Sequence, residues 1–172
     1  DSGVPALGIN TGRLGFLANV SRSYLQEAMD MVHQNKFVHQ ERSLLRVETE
    51  AIDLGENNMA LNEITLQKKD TSSMITVHVS LDDKYLNSYW ADGLILSTPT
   101  GSTAYNLSCG GPIVTPGCQV HILTPIAPHN LTVRPMVVPD HMPIKLSMES
   151  RNRSNLVSLD GTSYSIKNGE EI

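Results

Sequence analysis

The spacing of apolar residues changes once along the chain. An apolar run over 4–9 predicts a buried strand. A helix follows, because these apolar residues recur at the spacing of one helical face: Leu25, Ala28, Met29 and Val32. Ser21 or Ser23 is placed to cap this helix, Ser23 with Gln26 as a capping box, and the helix is predicted to end near Asn35. The first forty or so residues therefore indicate an α/β fragment.

From about Ser43 the period shortens to two, which is typical of strands with one buried face. Candidate strands cover 45–51, 64–66, 75–81, 85–90, 94–97, 119–124, 133–138, 144–148 and 156–159. Hairpin turns are predicted at 82–84 and at Asp160-Gly161. Because no later helix is long enough for a parallel crossover, the pattern favours two packed antiparallel sheets or a barrel. We expect two domains, residues 1–40 and a β-rich domain over 41–172.

Composition excludes several classes of function. The net charge of −5 argues against a general nucleic-acid binder, which needs a basic surface. No apolar run is long enough to span a bilayer, and no secretory leader is present, so we expect a cytoplasmic protein in which Cys109 and Cys118 are reduced thiols. The six histidines have no metal-ligand spacing, so none is assigned to a metal. Both ends, at Asp1 and Ile172, are typical of a truncated segment.

The densest chemical signal covers 92–112. There an apolar strand runs into a turn of small hydroxyl residues and glycines. A short helical turn over 102–109, capped by Ser102 or Thr103, would present amides and hydroxyls to a phosphate or a nucleotide edge. Gly101 would let a ligand approach the backbone closely. The alternative is an ordinary tight surface turn, which such residues also build.

Three further signals are weaker. Asn62-Glu63 lies at the entry to a strand, where an amide and a carboxylate can hold a ribose diol or simply form a turn. The opening loop over 8–17 has three glycines whose spacing misses the dinucleotide-binding fingerprint. Asp160-Gly161 is explained on local grounds as a two-residue hairpin turn.

Taken together, these motifs resemble those of the NAD kinases. The matching blocks, in order along the chain, are 8–17, Asn62-Glu63, 92–112 and 125–135. The third block, with Thr100-Gly101-Ser102-Thr103-Ala104-Tyr105 at its centre, is highly specific to that family. The likeness covers nearly the whole chain.

The resemblance implies transfer of the γ-phosphoryl group of ATP, accompanied by Mg²⁺, to the 2′-hydroxyl of the adenosine ribose of NAD. It implies that Asn62 and Glu63 contact the ribose and adenine region, and that Asp92 reaches the nicotinamide end across a subunit interface. The other implied NAD contacts are Phe16, Thr103, Ala104, Tyr105 and Ser108, with Arg13 and Asp160 as further candidates. Because members of that family form dimers and tetramers, the resemblance also implies a homodimer or homotetramer.

The implied fold is a remnant of a Rossmann-like nucleotide domain followed by a mainly-β domain, a two-sheet antiparallel sandwich. The family's Gly-Gly-Asp-Gly-Thr motif, whose Asp activates the ribose hydroxyl, does not occur in the 172 residues. The catalytic Asp is therefore expected upstream of Asp1, and this chain alone is expected to be inactive. Two alternatives stay open: a lipid or sphingoid kinase relative, and a non-catalytic module that binds NAD or NADP.

Overall fold

The computed structural model describes residues 4–12, 17–18, 20–69 and 73–172. The chain divides into two compact units, Asp1–Glu41 and Arg42–Ile172.

The first unit holds two very short strands and one helix. Strand β1 (Ile9–Asn10) pairs in parallel with β2 (Val20–Ser21), a 3₁₀ turn covers Arg22–Tyr24, and α1 covers Leu25–His33. The strand predicted over 4–9 is wrong in extent, since only its last residue belongs to β1.

The start of α1 differs from the predicted capping box. The hydroxyls of Ser21 and Ser23 hydrogen-bond to each other at 2.7 Å, and neither caps a helix amide. Gln26 donates forward to Asp30 Oδ1 at 3.1 Å, so its side chain does not reach back to the helix start. The predicted end is confirmed, because Asn35 has the left-handed φ of 53° that commonly follows the last helical turn.

The second unit is mostly β, as the alternating pattern predicts. Its strands are β3 (Leu45–Arg46), β4 (Met59–Ala60), β5 (Glu63–Gln67), β6 (Ile75–Leu81), β7 (Lys84–Ala91), β8 (Gly93–Ser97), β9 (Val120–Ile126), β10 (Met136–Pro139), β11 (Ile144–Glu149), β12 (Ser154–Leu159) and β13 (Thr162–Lys167). A 3₁₀ turn at Gly101–Thr103 and the single-turn helix α2 (Tyr105–Ser108) lie between β8 and β9.

Two antiparallel sheets form the body of this unit. The larger has six strands in the order β10-β9-β8-β5-β12-β13, and the smaller has the order β11-β6-β7. Both sheets contribute side chains to one hydrophobic cluster, including Leu66 and Val157 from the larger sheet and Val77 and Met148 from the smaller. Since β5 and β8 are central strands of the larger sheet, the loops that enter and leave them are anchored in the core.

Two predicted strands are shorter in the structure, and local side-chain hydrogen bonds explain why. The strand predicted over 45–51 stops after Arg46, and the Thr49 hydroxyl accepts a hydrogen bond from the Ala51 amide at 3.1 Å to form a turn. The strand predicted over 133–138 begins only at Met136. Ahead of it, Asn130 Oδ1 accepts hydrogen bonds from both the amide and the hydroxyl of Thr132.

Candidate functional site

The loop that leaves β8 holds four of the predicted site residues, Thr103, Ala104, Tyr105 and Ser108. The single helical turn predicted over 102–109 is interrupted at Ala104, whose φ and ψ of −96° and −129° are not helical. Neither predicted cap forms: Ser102 instead exchanges two hydrogen bonds with the backbone of Val114, at 3.0 and 3.1 Å. The helical prediction was therefore wrong at its start. The loop is held by Ser102 from the inside.

A second buried side chain holds the end of the same loop. Asn106 Nδ2 donates to the carbonyl oxygens of Ser102 at 2.9 Å and Pro112 at 3.1 Å, and Thr124 on β9 donates to Asn106 Oδ1 at 2.6 Å. Gly111 packs so closely that a Cβ there would lie 1.9 Å from Asn106 Oδ1. These buried contacts leave Thr103, Ala104, Tyr105 and Ser108 on the outer side of the loop, partly or largely exposed.

The loop also contacts Asn62-Glu63, which the sequence places more than thirty residues earlier. The Thr98 amide donates to the Asn62 carbonyl at 2.9 Å, and the Thr98 hydroxyl donates to the Leu61 carbonyl at 2.6 Å. Gly101 lies against the same segment, since a Cβ at that position would be 2.1 Å from the Asn62 carbonyl oxygen. The two motifs are far apart in the sequence but in contact in the fold, and Asn62-Glu63 and the loop after β8 together form one surface.

Glu63 is a partly buried carboxylate of this surface. It begins β5 opposite Ser97 on β8, and its Oε2 atom is buried without a hydrogen-bond partner among the described residues. Burial raises the pKa of the Glu63 carboxyl above its usual range, and the nearby carboxylate of Asp160 raises that pKa further. A carboxyl group with an unsatisfied inner oxygen is suited to accept hydrogen bonds from a ligand.

Asp160 lies close to Glu63, but its carboxylate already accepts hydrogen bonds from backbone amides. It begins the two-residue turn between β12 and β13, as predicted, and its carboxylate accepts hydrogen bonds from the amides of 61–63.

Tyr105 lies toward the other end of β5. Its hydroxyl accepts a hydrogen bond from Gln67 Nε2 at 3.2 Å. Burial raises the pKa of the Tyr105 hydroxyl, with Cys109 as the next contributor, and burial also raises the pKa of the Cys109 thiol. Both shifts favour the neutral, protonated form of these groups. Tyr105 is 37% exposed as a residue, so its aromatic side chain is accessible to a stacking partner.

Asp92 is held by a residue that sequence reasoning missed. Its carboxylate lies 2.5 Å from Lys68 Nζ, and the Lys68 amide donates to the Asp92 carbonyl at 3.0 Å. Lys68 and Gln67 carry no motif of their own, and only the pairing of β5 with β8 brings them beside Asp92 and Tyr105. Lys68 neutralises the charge of Asp92 while the pair stays about a quarter exposed, with side-chain accessibilities of 20% and 33%.

Two predicted site residues, Arg13 and Phe16, lie outside the described residues. Over the described ranges, no group of three or more His, Cys, Asp and Glu side chains converges to hold a metal ion. Within that same part of the chain, no helix is both long and apolar enough to cross a membrane.

Comparison with known proteins gives a consistent result. Residues 61–172 match the profile of the ATP-NAD kinase C-terminal domain. The chain is 51% identical over 170 residues to the NAD kinase of Flavobacterium psychrophilum and 48% identical over 167 residues to that of Bacteroides fragilis, matches that cover 98% and 97% of this chain. The chain spans 58% of the length of each of these relatives.

Solved structures show the same relationship. The yeast NADH kinase in complex with NADH superposes with a TM-score of 0.86 at 29% identity, over 96% of this chain and 49% of that one. An NAD kinase from Archaeoglobus fulgidus in complex with ATP superposes with a TM-score of 0.77 at 31% identity, over 97% of this chain and 63% of that one. With its matched region containing Asn62-Glu63 and the whole loop after β8, the chain belongs to the NAD kinase family.

Proposed function

We propose that this chain is the NAD-binding part of an enzyme that transfers the γ-phosphoryl group of ATP to the 2′-hydroxyl of the adenosine ribose of NAD, giving NADP. The observation that carries the proposal is the contact between Asn62-Glu63 and the loop at Thr98 and Gly101. It joins a carboxylate and amide pair to a polar loop that has no room for a side chain at Gly101. The family's relatives are NAD kinases, which supports this choice of substrates.

In this proposal the adenosine half of NAD lies on that surface. Glu63 accepts hydrogen bonds from ribose hydroxyls, and Asn62 donates or accepts beside it. Leaving the buried Oε2 atom of Glu63 without a hydrogen bond costs about 1–3 kcal/mol of stability. A ribose hydroxyl that donates to this oxygen would recover that energy. Further contacts from the outer side of the loop are proposed for Thr103, Ala104, Tyr105 and Ser108.

Asp92 is proposed to serve the nicotinamide end of a dinucleotide bound by a neighbouring subunit of a homodimer or homotetramer. Glu63 and Gln67 stand four residues apart on β5, about 13 Å at the rise of an extended strand, and Asp92 lies beyond Gln67. This separation supports binding of the adenosine half of one dinucleotide at the Glu63 end of β5 and of the nicotinamide half of another at the Gln67 end.

The proposal extends to parts that the described residues do not supply. Mg²⁺ would enter with ATP and neutralise the charge of its phosphates, and no side chain of this chain is assigned to it. The Asp that activates the ribose hydroxyl belongs to the Gly-Gly-Asp-Gly-Thr motif, which the 172 residues lack, so residues 1–172 alone are proposed to be inactive. The short β1, β2 and α1 would then be a remnant of a Rossmann-like domain. A cytoplasmic location is proposed because Cys109 and Cys118 are free thiols.

A coupled assay tests the proposed reaction. The full gene product is incubated with NAD, ATP and Mg²⁺, and NADP is detected with an NADP-specific dehydrogenase. Formation of NADP is the expected result, and its absence at high enzyme concentration would overturn the proposal. NAD that binds without turnover would instead identify a non-catalytic module.

The site assignment has its own test. Glu63→Ala and Tyr105→Ala should each weaken NAD binding by about tenfold, the loss expected for one well-made polar or stacking contact. Isothermal titration calorimetry measures the change, with Glu56→Ala on an exposed turn as the control that keeps the original affinity. Unchanged affinity in both site variants would remove Glu63 and Tyr105 from the NAD site.

A further inference from the structure

The turn that joins β12 to β13 begins with Asp160, and the local sequence indicates only a turn residue at this position. Asp160 and Gly161 both have positive φ angles, 45° and 87°, as a two-residue hairpin turn requires. An aspartate tolerates this conformation, and the turn alone would explain its presence. Its side chain, however, points away from the turn to a segment almost a hundred residues earlier in the chain.

The Asp160 carboxylate binds three consecutive backbone amides. Oδ2 accepts from the amide of Leu61 at 2.7 Å, and Oδ1 accepts from the amides of Asn62 and Glu63 at 2.9 and 3.1 Å. The Asp160 amide returns a hydrogen bond to the Glu63 carbonyl at 3.1 Å. Successive amides that converge on one negative charge form an anion-binding nest, and here the anion is part of the chain itself.

The other side of the same segment is held by the loop after β8. Thr98 donates its amide to the Asn62 carbonyl and its hydroxyl to the Leu61 carbonyl. The amide side of the segment is therefore fixed by Asp160 and the carbonyl side by Thr98. These hydrogen bonds from Asp160 and Thr98 together form a clamp on the backbone of 61–63. Because hydrogen bonds to a charged group are stronger than neutral ones, Asp160 contributes more to the stability of the clamp than Thr98 does.

We propose that Asp160 is a positioning residue of the NAD site: its carboxylate fixes the backbone of 61–63 and thereby orients the side chains of Asn62 and Glu63. It does so without contacting the dinucleotide. Three of the roughly four acceptor directions of the carboxylate are taken by amides, which leaves little capacity for a ligand. The inference rests on the NAD-binding role proposed above for Asn62 and Glu63.

The test variant is Asp160→Asn, which keeps the size and the turn preference of the side chain but removes its charge and one acceptor oxygen. The matched control is Asp83→Asn. Asp83 also sits in a two-residue hairpin turn with a positive φ of 59°, but it is 89% exposed and its carboxylate pairs only at 3.6 Å with Lys145. A general effect of altering a turn aspartate would appear in both variants.

The first measurement is amide hydrogen exchange by NMR on the NAD-free protein. Asp160→Asn should accelerate exchange at Leu61, Asn62 and Glu63 by about tenfold while amides in the core strand β6 keep their protection. Asp83→Asn should leave all of these amides unchanged. Unchanged exchange at 61–63 in Asp160→Asn would overturn the clamp, whatever ligand the protein binds.

The second measurement is NAD affinity of the full gene product by calorimetry. Asp160→Asn should raise the Kd for NAD by about tenfold. In a Glu63→Ala background the same change should raise it by only about threefold, because part of what Asp160 positions is gone. A full tenfold effect in that background would show that Asp160 acts independently of Glu63 and would overturn its role in positioning that side chain. Faster exchange in a protein that binds no NAD would instead show that the clamp exists and that the assigned substrate is wrong.

Discussion

The hydroxyl of Thr124 on β9 donates a hydrogen bond of 2.6 Å to the side-chain oxygen of Asn106 in α2, and both side chains are completely buried. A four-residue helix has too few internal hydrogen bonds to be stable by itself. Its conformation is therefore set by this bond to a neighbouring strand and by the two bonds from Asn106 to loop carbonyls. The outward placement of Tyr105 and Ser108 depends on an inward-facing asparagine between them.

Asn106→Ala should destabilise the protein by about 2–4 kcal/mol. The change leaves the carbonyls of Ser102 and Pro112 without their donor and the Thr124 hydroxyl without its acceptor, and each buried polar group left unpaired is costly. Urea unfolding monitored by circular dichroism measures the loss. Asn57→Ala, at an exposed turn position, is the control and should change stability by less than about 0.5 kcal/mol. Equal stability of the two variants would contradict a structural role for Asn106.

Gly101→Ala should both destabilise the protein and weaken NAD binding. The new methyl group would lie 2.1 Å from the carbonyl oxygen of Asn62, so the loop and the Asn62-Glu63 segment must move apart. Overpacking of this kind costs about 1–3 kcal/mol. Thermal unfolding and calorimetric titration with NAD measure the two effects.

Gly117→Ala is the matched control for this substitution. A Cβ at Gly117 would meet no atom within 4 Å, and the residue has no positive φ that an alanine would strain. Stability and NAD affinity should both stay close to their original values. A Gly101→Ala protein that behaved like Gly117→Ala would show that the close approach of Gly101 to Asn62 is not needed.

The burial of Glu63 predicts a specific pH dependence of stability. Because its pKa is raised in the folded protein, the folded state binds the proton more tightly than the unfolded state does. The free energy of unfolding that the protonated Glu63 carboxyl contributes is fully present below its ordinary pKa of about 4.5. This contribution is lost as the pH rises through the higher pKa of the folded state. Glu63→Gln, which keeps a neutral side chain at every pH, removes this dependence.

Unfolding free energies from pH 4 to pH 8 provide the check. Relative to Glu63→Gln, the original protein should lose stability as the pH rises from about 4.5, with the loss complete above the folded pKa. Glu56→Gln, which changes a solvent-facing glutamate, should follow the original protein throughout. A constant difference between the original protein and Glu63→Gln over the whole range would contradict the raised pKa.

Local sequence pattern was sufficient to predict several elements of both units. The alternation over 75–81 corresponds to β6, Asp160-Gly161 forms the predicted turn, and α1 ends where expected. These features depend on residues close together in sequence, where side-chain period and backbone preference act directly. The failures at 45–51 and 133–138 have the same local origin, since a threonine and an asparagine there bond to nearby backbone and compete with strand formation.

The amino-acid sequence by itself determined the chemical identity of the candidate site, because Asn62-Glu63 and the residues of 92–112 are recognisable wherever the chain places them. Only the tertiary structure decided how they act together. The pairing of β5 with β8 puts Lys68 beside Asp92, and the turn after β12 carries Asp160 to the amides of 61–63. Such contacts follow from strand order and register, which are set by burial of whole sheet faces. The short sequence around each of these residues therefore does not indicate its partner.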